Sequence, residues 1–199
     1  MNSPIQSIAL FGMSADPPTA GHQLILRWLS DRFDWVAAWA SDNPFKSHQA
    51  SLDHRLAMLQ LLIAEIEPSR HNIGLHPELI SPRTLISAQR ARSLWGQQAT
   101  LTLAIGADLV RQLPSWYQIE TLLQYVKLLV VPRPQYGLAE GDLKPLRDMG
   151  ARIAIADLIG PAVSSTAYRE QGNRAVLTPQ IEAYIHQEQQ YACQNAAPN

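Results

Sequence analysis

The 199-residue sequence has a single cysteine, Cys193, in a polar stretch near the end of the chain. No internal disulfide and no thiolate metal cluster can form, which fits a reducing compartment. Charge of one sign is also missing, since 16 basic and 17 acidic residues leave a formal net charge of −1. A chain so balanced has no general electrostatic pull toward nucleic acid or an anionic membrane, so any anion site has to be local. No apolar run approaches the roughly 20 residues needed to cross a bilayer. The opening Met1-Asn2-Ser3-Pro4 lacks the basic region of a secretory signal, and the apolar run behind it is too short for one. The expectation is a cytoplasmic protein that binds neither nucleic acid nor membrane. Neither a P-loop nor a GxGxxG is present, which removes the best support for an ATPase or a dehydrogenase. No Ser-His-Asp or Cys-His constellation offers a nucleophile.

What is there is an ordinary globular composition, 46% hydrophobic and 17% charged. Its length predicts a single domain over residues 1–199, with a tail that frays from about residue 187. Short apolar segments read as strands at Ile5–Phe11, Trp35–Ala40, Asn72–Leu75, Thr100–Ile105, Val126–Val131 and Arg152–Ala156. Helical patterns lie between them. Gln23–Phe33 is amphipathic, Leu52, Leu56, Leu59, Ile63 and Ile66 form one apolar stripe, and Ser81-Pro82 predicts a helix start running to about Trp95. Ser41–Ser51, Pro132–Asp142 and Asp157–Val163 read as loops. Strand–helix alternation of this kind predicts a doubly wound parallel α/β sheet.

In such a sheet, ligands bind beyond the carboxyl ends of the strands. The first strand ends in Gly12-Met13-Ser14-Ala15-Asp16-Pro17-Pro18-Thr19-Ala20-Gly21-His22. The fourth ends in Gly106-Ala107-Asp108, and the last is followed by Val163-Ser164-Ser165-Thr166-Ala167-Tyr168-Arg169. All three polar clusters fall on one rim. Thr19 and His22, three residues apart at a helix start, can point both side chains at one phosphate, with the helix amides adding to the attraction. Taken alone, the first and last clusters also read as helix caps. Arg169 is suited to clamp phosphate oxygens. Lys46, in the loop after the second strand, could reach the same phosphates or simply be solvated.

The Gly12–His22 loop resembles the (H/T)xGH loop of the nucleotidylyltransferase superfamily, with Thr19 and His22 at its marker positions. Val163–Arg169 resembles the second superfamily motif, ISSTxIR. Three further stretches are similar to bacterial nicotinate-mononucleotide adenylyltransferases. Glu78–Leu85 resembles their E-x-x-x-P-S-Y-T-x-x-T-L region. Ile105–Leu109 followed by Leu113–Tyr117 looks like their IGxDxL…WY block, and Leu128–Tyr136 like their IVxxRPGY segment, with Gln135 in place of the Gly. The resemblance covers about residues 5–186, with the motifs in order.

The resemblance implies a Rossmann-like fold and a step of NAD biosynthesis in which ATP and nicotinate mononucleotide give deamido-NAD and pyrophosphate. The mononucleotide phosphate attacks the α-phosphorus in line, with Mg²⁺ bridging the phosphates. His22 is then expected at the α-phosphate, and Lys46, Ser165 and Arg169 at the departing phosphates. Thr19 is expected to hydrogen-bond a phosphate oxygen. Gly12, Met13, Gly21 and Ser164 with Thr166 complete the expected ATP site, and Gly106 and Asp108 serve its ribose or adenine side. For nicotinate mononucleotide the resemblance implies Ser14, Lys46, Thr84, Trp116, Tyr117 and Arg133, with Trp116 as an aromatic platform and amides near Thr84 and Tyr117 for the carboxylate. Asp16 is expected to hold the loop rather than act as a base.

The family usually has Phe where Ala15 stands, His where Thr19 stands and Tyr where Arg83 stands. Arg83 near a carboxylate would favour nicotinate over nicotinamide. The residues leave two alternatives open: an adenylyltransferase for nicotinamide mononucleotide or for both substrates, and a nucleotide-binding protein with weak or no turnover. A homo-oligomer is equally left open.

Overall fold

In the computed structural model, which describes residues 5–42, 50–66, 71–134, 136–158 and 163–191, six apolar segments pair as parallel strands. They are β1 Ser7–Met13, β2 Trp35–Ala40, β3 Ile73–Leu75, β4 Thr100–Gly106, β5 Lys127–Val131 and β6 Ile153–Ile155. Their order across the sheet is β3-β2-β1-β4-β5-β6. Each expected strand is present, shifted by at most two residues at either end.

The sheet is buried on both sides because side chains alternate along each strand. Ile8 and Leu10 of β1, Trp39 of β2, Leu103 and Ile105 of β4 and Leu128 of β5 fill one core. Ala9 and Phe11, Val36 and Ala38, Ala104 and Leu129 fill the other. Helices α3 Thr84–Trp95, α4 Ile119–Tyr125 and α5 Glu140–Asp148 cover the first face through Leu85, Leu122 and Leu146. Helices α1 Ala20–Ser30, α2 Leu52–Ala64 and α7 Pro179–Gln187 cover the second through Leu26, Leu29, Met58, Leu62 and Ile181. Each such leucine or isoleucine contributes about 1.5–3 kcal/mol by leaving water. The short helix α6, Ser165–Gln171, lies after β6.

Several boundaries differ from the sequence expectation for local reasons. Helix α1 begins at Ala20 rather than Gln23 because Thr19, extended at φ −124°, caps it. Helix α3 begins at Thr84, not at Ser81-Pro82, because the Ser81 hydroxyl accepts the Arg83 N–H at 3.2 Å and closes a turn there. The expected loop Pro132–Asp142 ends early, as α5 starts at Glu140 with the Asp142 carboxylate accepting the Ala139 N–H at 3.0 Å. In α2 the buried line runs through Arg55, Met58, Leu59 and Leu62, rotated from the expected stripe, so that Leu52, Leu56 and Ile63 are only partly covered. The expectation of a frayed tail from about residue 187 meets a different arrangement at residues 188–191, where Tyr191 folds onto Asp16. Most of the expected loop Ser41–Ser51, including Lys46, lies outside the described residues.

The strand order reverses between β1 and β4, the place where an open parallel sheet leaves a crevice at its carboxyl edge. At that edge Gly12 is required sterically. A Cβ there would sit 2.6 Å from the indole of Trp39 on the adjacent strand, itself 3% exposed and locked in the core. Gly12→Ala is therefore expected to lower the unfolding free energy by about 1–3 kcal/mol, the range for overpacking a core. A urea titration followed by tryptophan fluorescence checks it.

Candidate active site

The β1–α1 loop is a buried turn. Ala15, Asp16 and Thr19 are each at most 1% exposed. Ala15 takes a left-handed conformation, φ +51°, which costs a non-glycine residue on the order of 1–2 kcal/mol. The conformation persists because neighbouring elements hold the loop through its carbonyls. Ser165 Oγ donates to the Pro17 carbonyl at 2.8 Å. Arg169 Nη1 donates to the Asp16 carbonyl at 2.5 Å. Arg55 Nη1 donates to the Ser14 carbonyl at 2.9 Å and to the Ser41 carbonyl at 2.8 Å.

At the helix start, the Thr19 N–H donates to His22 Nδ1 at 3.0 Å, and Thr19 Oγ1 lies 2.9 Å from the same nitrogen. An amide nitrogen can only donate, so Nδ1 is the unprotonated ring nitrogen and the proton of the neutral imidazole sits on Nε2. The ring lies beside Phe11, centroids 6.5 Å apart. Thr19, expected to contact phosphate directly, is instead turned toward His22. Gly21 lets Val163, two residues before α6, approach, as a Cβ there would meet Val163 Cγ2 at 2.9 Å.

The second cluster docks onto the first. Ser164 caps α6 by accepting the Ala167 N–H at 3.1 Å. Arg169 Nη2 lies 3.4 Å from Thr166 Oγ1. The expected phosphate hydroxyls of Ser164 and Ser165 are thus engaged with backbone, and Arg169 carries the cluster's charge against the loop.

At the ends of β4 and β5, Asp108 Oδ1 and Arg133 Nε stand 3.5 Å apart. The resemblance placed these two on different substrates, and the fold makes them neighbours. Gly106 leaves room for the Asp108 carboxylate, which a Cβ there would displace. Arg83, just before α3, stacks its guanidinium 4.0 Å from the ring centroid of Tyr117, which is 44% exposed. Trp116 is half-buried against the first core. Thr84 is the first residue of α3. Glu78 is held in front of that helix by His76. Trp35 Nε1 donates to His76 Nε2 at 2.9 Å, so the opposite ring nitrogen donates to Glu78 Oε1 at 2.7 Å. Burial pushes the Glu78 carboxyl up, but hydrogen bonds from His76 and from backbone outweigh it and hold it below its ordinary value.

Sequence reasoning missed Arg55 and Tyr191. Arg55 is 2% exposed in the core-facing line of α2. Burial pulls its guanidinium down from the usual arginine value, while Asp16, Asp42 and Tyr191 raise it again. The signal available was an arginine on an otherwise apolar helix face.

A parallel sheet with this order and a phosphate-type loop at its switch point defines a nucleotide-binding α/β protein. The cytidylyltransferase-like family model matches residues 10–171. The chain is 41% identical to a probable nicotinate-nucleotide adenylyltransferase of Synechocystis sp., over 92% of this chain and 98% of that one. It is 31% identical to another of Synechococcus sp. (strain JA-3-3Ab), over 92% and 94% of the two chains. In fold it is similar to Plasmodium falciparum nicotinic acid mononucleotide adenylyltransferase complexed with NaAD, with TM-score 0.81, 19% identity and coverage of 94% and 98%. The chain belongs to the nicotinate-nucleotide adenylyltransferase family within the cytidylyltransferase-like superfamily.

Arg55→Met keeps the bulk of the stem but removes the donors to the Ser14 and Ser41 carbonyls. It is expected to lower the unfolding free energy by about 2–4 kcal/mol, the scale of two lost hydrogen bonds from a charged donor, less the desolvation that methionine avoids. Denaturant unfolding at neutral pH measures it.

Proposed function

We propose that the protein joins ATP to nicotinate mononucleotide, giving deamido-NAD and pyrophosphate. The observation that supports this most is the His22 geometry: a ring with its proton on Nε2, fixed at the first turn of α1, beside the sheet's switch point. An oxygen of the mononucleotide 5′-phosphate attacks the α-phosphorus of ATP. The bond from that phosphorus to the bridging oxygen of the β-phosphate breaks, and pyrophosphate leaves with its electron pair. No side-chain nucleophile takes part. Catalysis rests on alignment and on donors that meet the charge as it develops.

His22 donates from Nε2 to the α-phosphate, and Thr19 acts by setting the tautomer of that ring. Arg169 attracts the β- and γ-phosphates, joined by Lys46, which lies outside the described residues. Gly12, Met13 and Gly21 let the triphosphate approach backbone. Gly106 and Asp108 serve the ribose or adenine side. Ser14, Thr84, Trp116, Tyr117 and Arg133 serve the mononucleotide. Among the described residues, no three His, Cys, Asp or Glu side chains converge to hold a metal ion. Mg²⁺ would enter with the triphosphate and would offset phosphate charge there. Among the described residues no helix is long and apolar enough to cross a membrane, and we place the activity in the cytoplasm.

The stacked Arg83–Tyr117 pair favours the nicotinate form over the nicotinamide form. It puts a fixed positive charge on the face of an exposed aromatic side chain of the mononucleotide region.

Pyrophosphate release from ATP, Mg²⁺ and nicotinate mononucleotide tests the proposal. The wild type is expected to turn over, and His22→Ala to lose roughly 10²–10³ in kcat, as for removal of one preorganised donor. No release with either mononucleotide would leave only nucleotide binding. In the same assay kcat/KM is expected to be higher for nicotinate than for nicotinamide mononucleotide, and Arg83→Gln to narrow the gap. A preference for the amide would contradict the role of Arg83.

A further inference from the structure

The segment after α7 turns back and lays Tyr191 on the β1–α1 loop, 175 residues away in sequence. Tyr191 Oη donates to Asp16 Oδ1 at 2.7 Å, and the Ala50 N–H donates to the same oxygen at 3.1 Å. The other carboxylate oxygen, Oδ2, lies 3.9 Å from Arg169 Nη1, which donates to the Asp16 carbonyl. The Tyr191 ring stands edge-on to Tyr168 of α6, centroids 5.6 Å apart. Burial, and then the hydrogen bond to Asp16, hold the phenol far above the usual tyrosine range, so its oxygen remains a donor.

A carboxylate this close to Arg169 competes with phosphate for the guanidinium. Free to rotate, it could close to a bidentate pair, the strongest arrangement open to arginine and carboxylate. Among the described residues, Tyr191 and Ala50 both donate to Oδ1 and oppose that rotation, and Oδ2 stands 3.9 Å from the guanidinium. Tyrosine does this without adding a charge near the phosphates. We propose that Tyr191 is a positioning residue for adenylyl transfer: by pinning the Asp16 carboxylate it keeps Arg169 available to the ATP phosphates. This inference rests on the function proposed above.

Tyr191→Phe in the full chain removes one hydroxyl and keeps the ring against Tyr168. With rates taken per folded molecule, well below the thermal midpoint, kcat is expected to fall about tenfold, since misplacing a contact group by 1 Å can cost about 10²-fold. KM for nicotinate mononucleotide is expected to stay within about twofold, because Tyr191 acts on the ATP side. In an Asp16→Asn background, where the competing charge is gone, the same change is expected to lower kcat by less than about twofold. ATP affinity by calorimetry gives a second readout and is expected to weaken severalfold in the Phe variant, whether or not the chain turns over. Wild-type kcat and ATP affinity in Tyr191→Phe would overturn the inference. So would equal losses in both backgrounds, the result of a purely structural role. A wild type that releases no pyrophosphate but binds ATP more weakly as Tyr191→Phe contradicts the proposed reaction and leaves the Tyr191–Asp16–Arg169 coupling standing.

Discussion

The hydrogen bond from the Thr19 amide to His22 Nδ1 decides which nitrogen of the imidazole carries the proton. Everything placed around it depends on that choice. The bond joins the helix cap to the side chain of the third helical residue, so it exists only if α1 starts at Ala20 and Thr19 is extended. That start depends in turn on where β1 ends, which the pairing of Gly12 with Trp39 and Met13 with Ala40 sets. A threonine at the first marker position, where the resembled motif takes histidine or threonine, leaves His22 as the loop's one imidazole. Its hydroxyl, 2.9 Å from Nδ1, instead reinforces the orientation of the ring that remains.

A loop buried this deeply has to satisfy its polar groups internally. It does so with side chains drawn from distant parts of the chain: Arg55 from α2, Ser165 and Arg169 from α6, Tyr191 from beyond α7. Burying Arg55 and Asp16 is expensive unless each is hydrogen-bonded. The same contacts that meet this cost fix the backbone on which His22 stands. Stability and site geometry are therefore one problem here, and the strained Ala15 is kept by the surrounding bonds rather than by its own preference.

Much of this was legible in the sequence. Six apolar runs separated by helical patterns predicted the parallel sheet, because strands buried on both faces carry almost no polar residues. The loop, the Ser164–Arg169 cluster and the Trp116-Tyr117 pair were found from motif and order. Less legible was what each polar side chain does. Ser165 and Thr19 look like phosphate ligands in sequence, yet their hydroxyls meet Pro17 and His22. Those contacts depend on how α6 and α1 pack, which no local pattern encodes. Arg55 and Tyr191 were missed because a lone arginine on an apolar stripe and a tyrosine in a polar tail gain meaning only from partners far away in the chain. Ser81-Pro82 misled for a simpler reason, since a serine hydroxyl that closes a turn has the same sequence signature as one that caps a helix.

The loop holds His22 with Nδ1 as acceptor and the proton on Nε2. Long-range ¹H–¹⁵N correlation on protein labelled at histidine nitrogens, at a pH where the ring is neutral, reads the tautomer directly. A protonated Nε2 and a bare Nδ1 are expected for His22 in the ligand-free protein. A His22 ring protonated at Nδ1 in that state would contradict it.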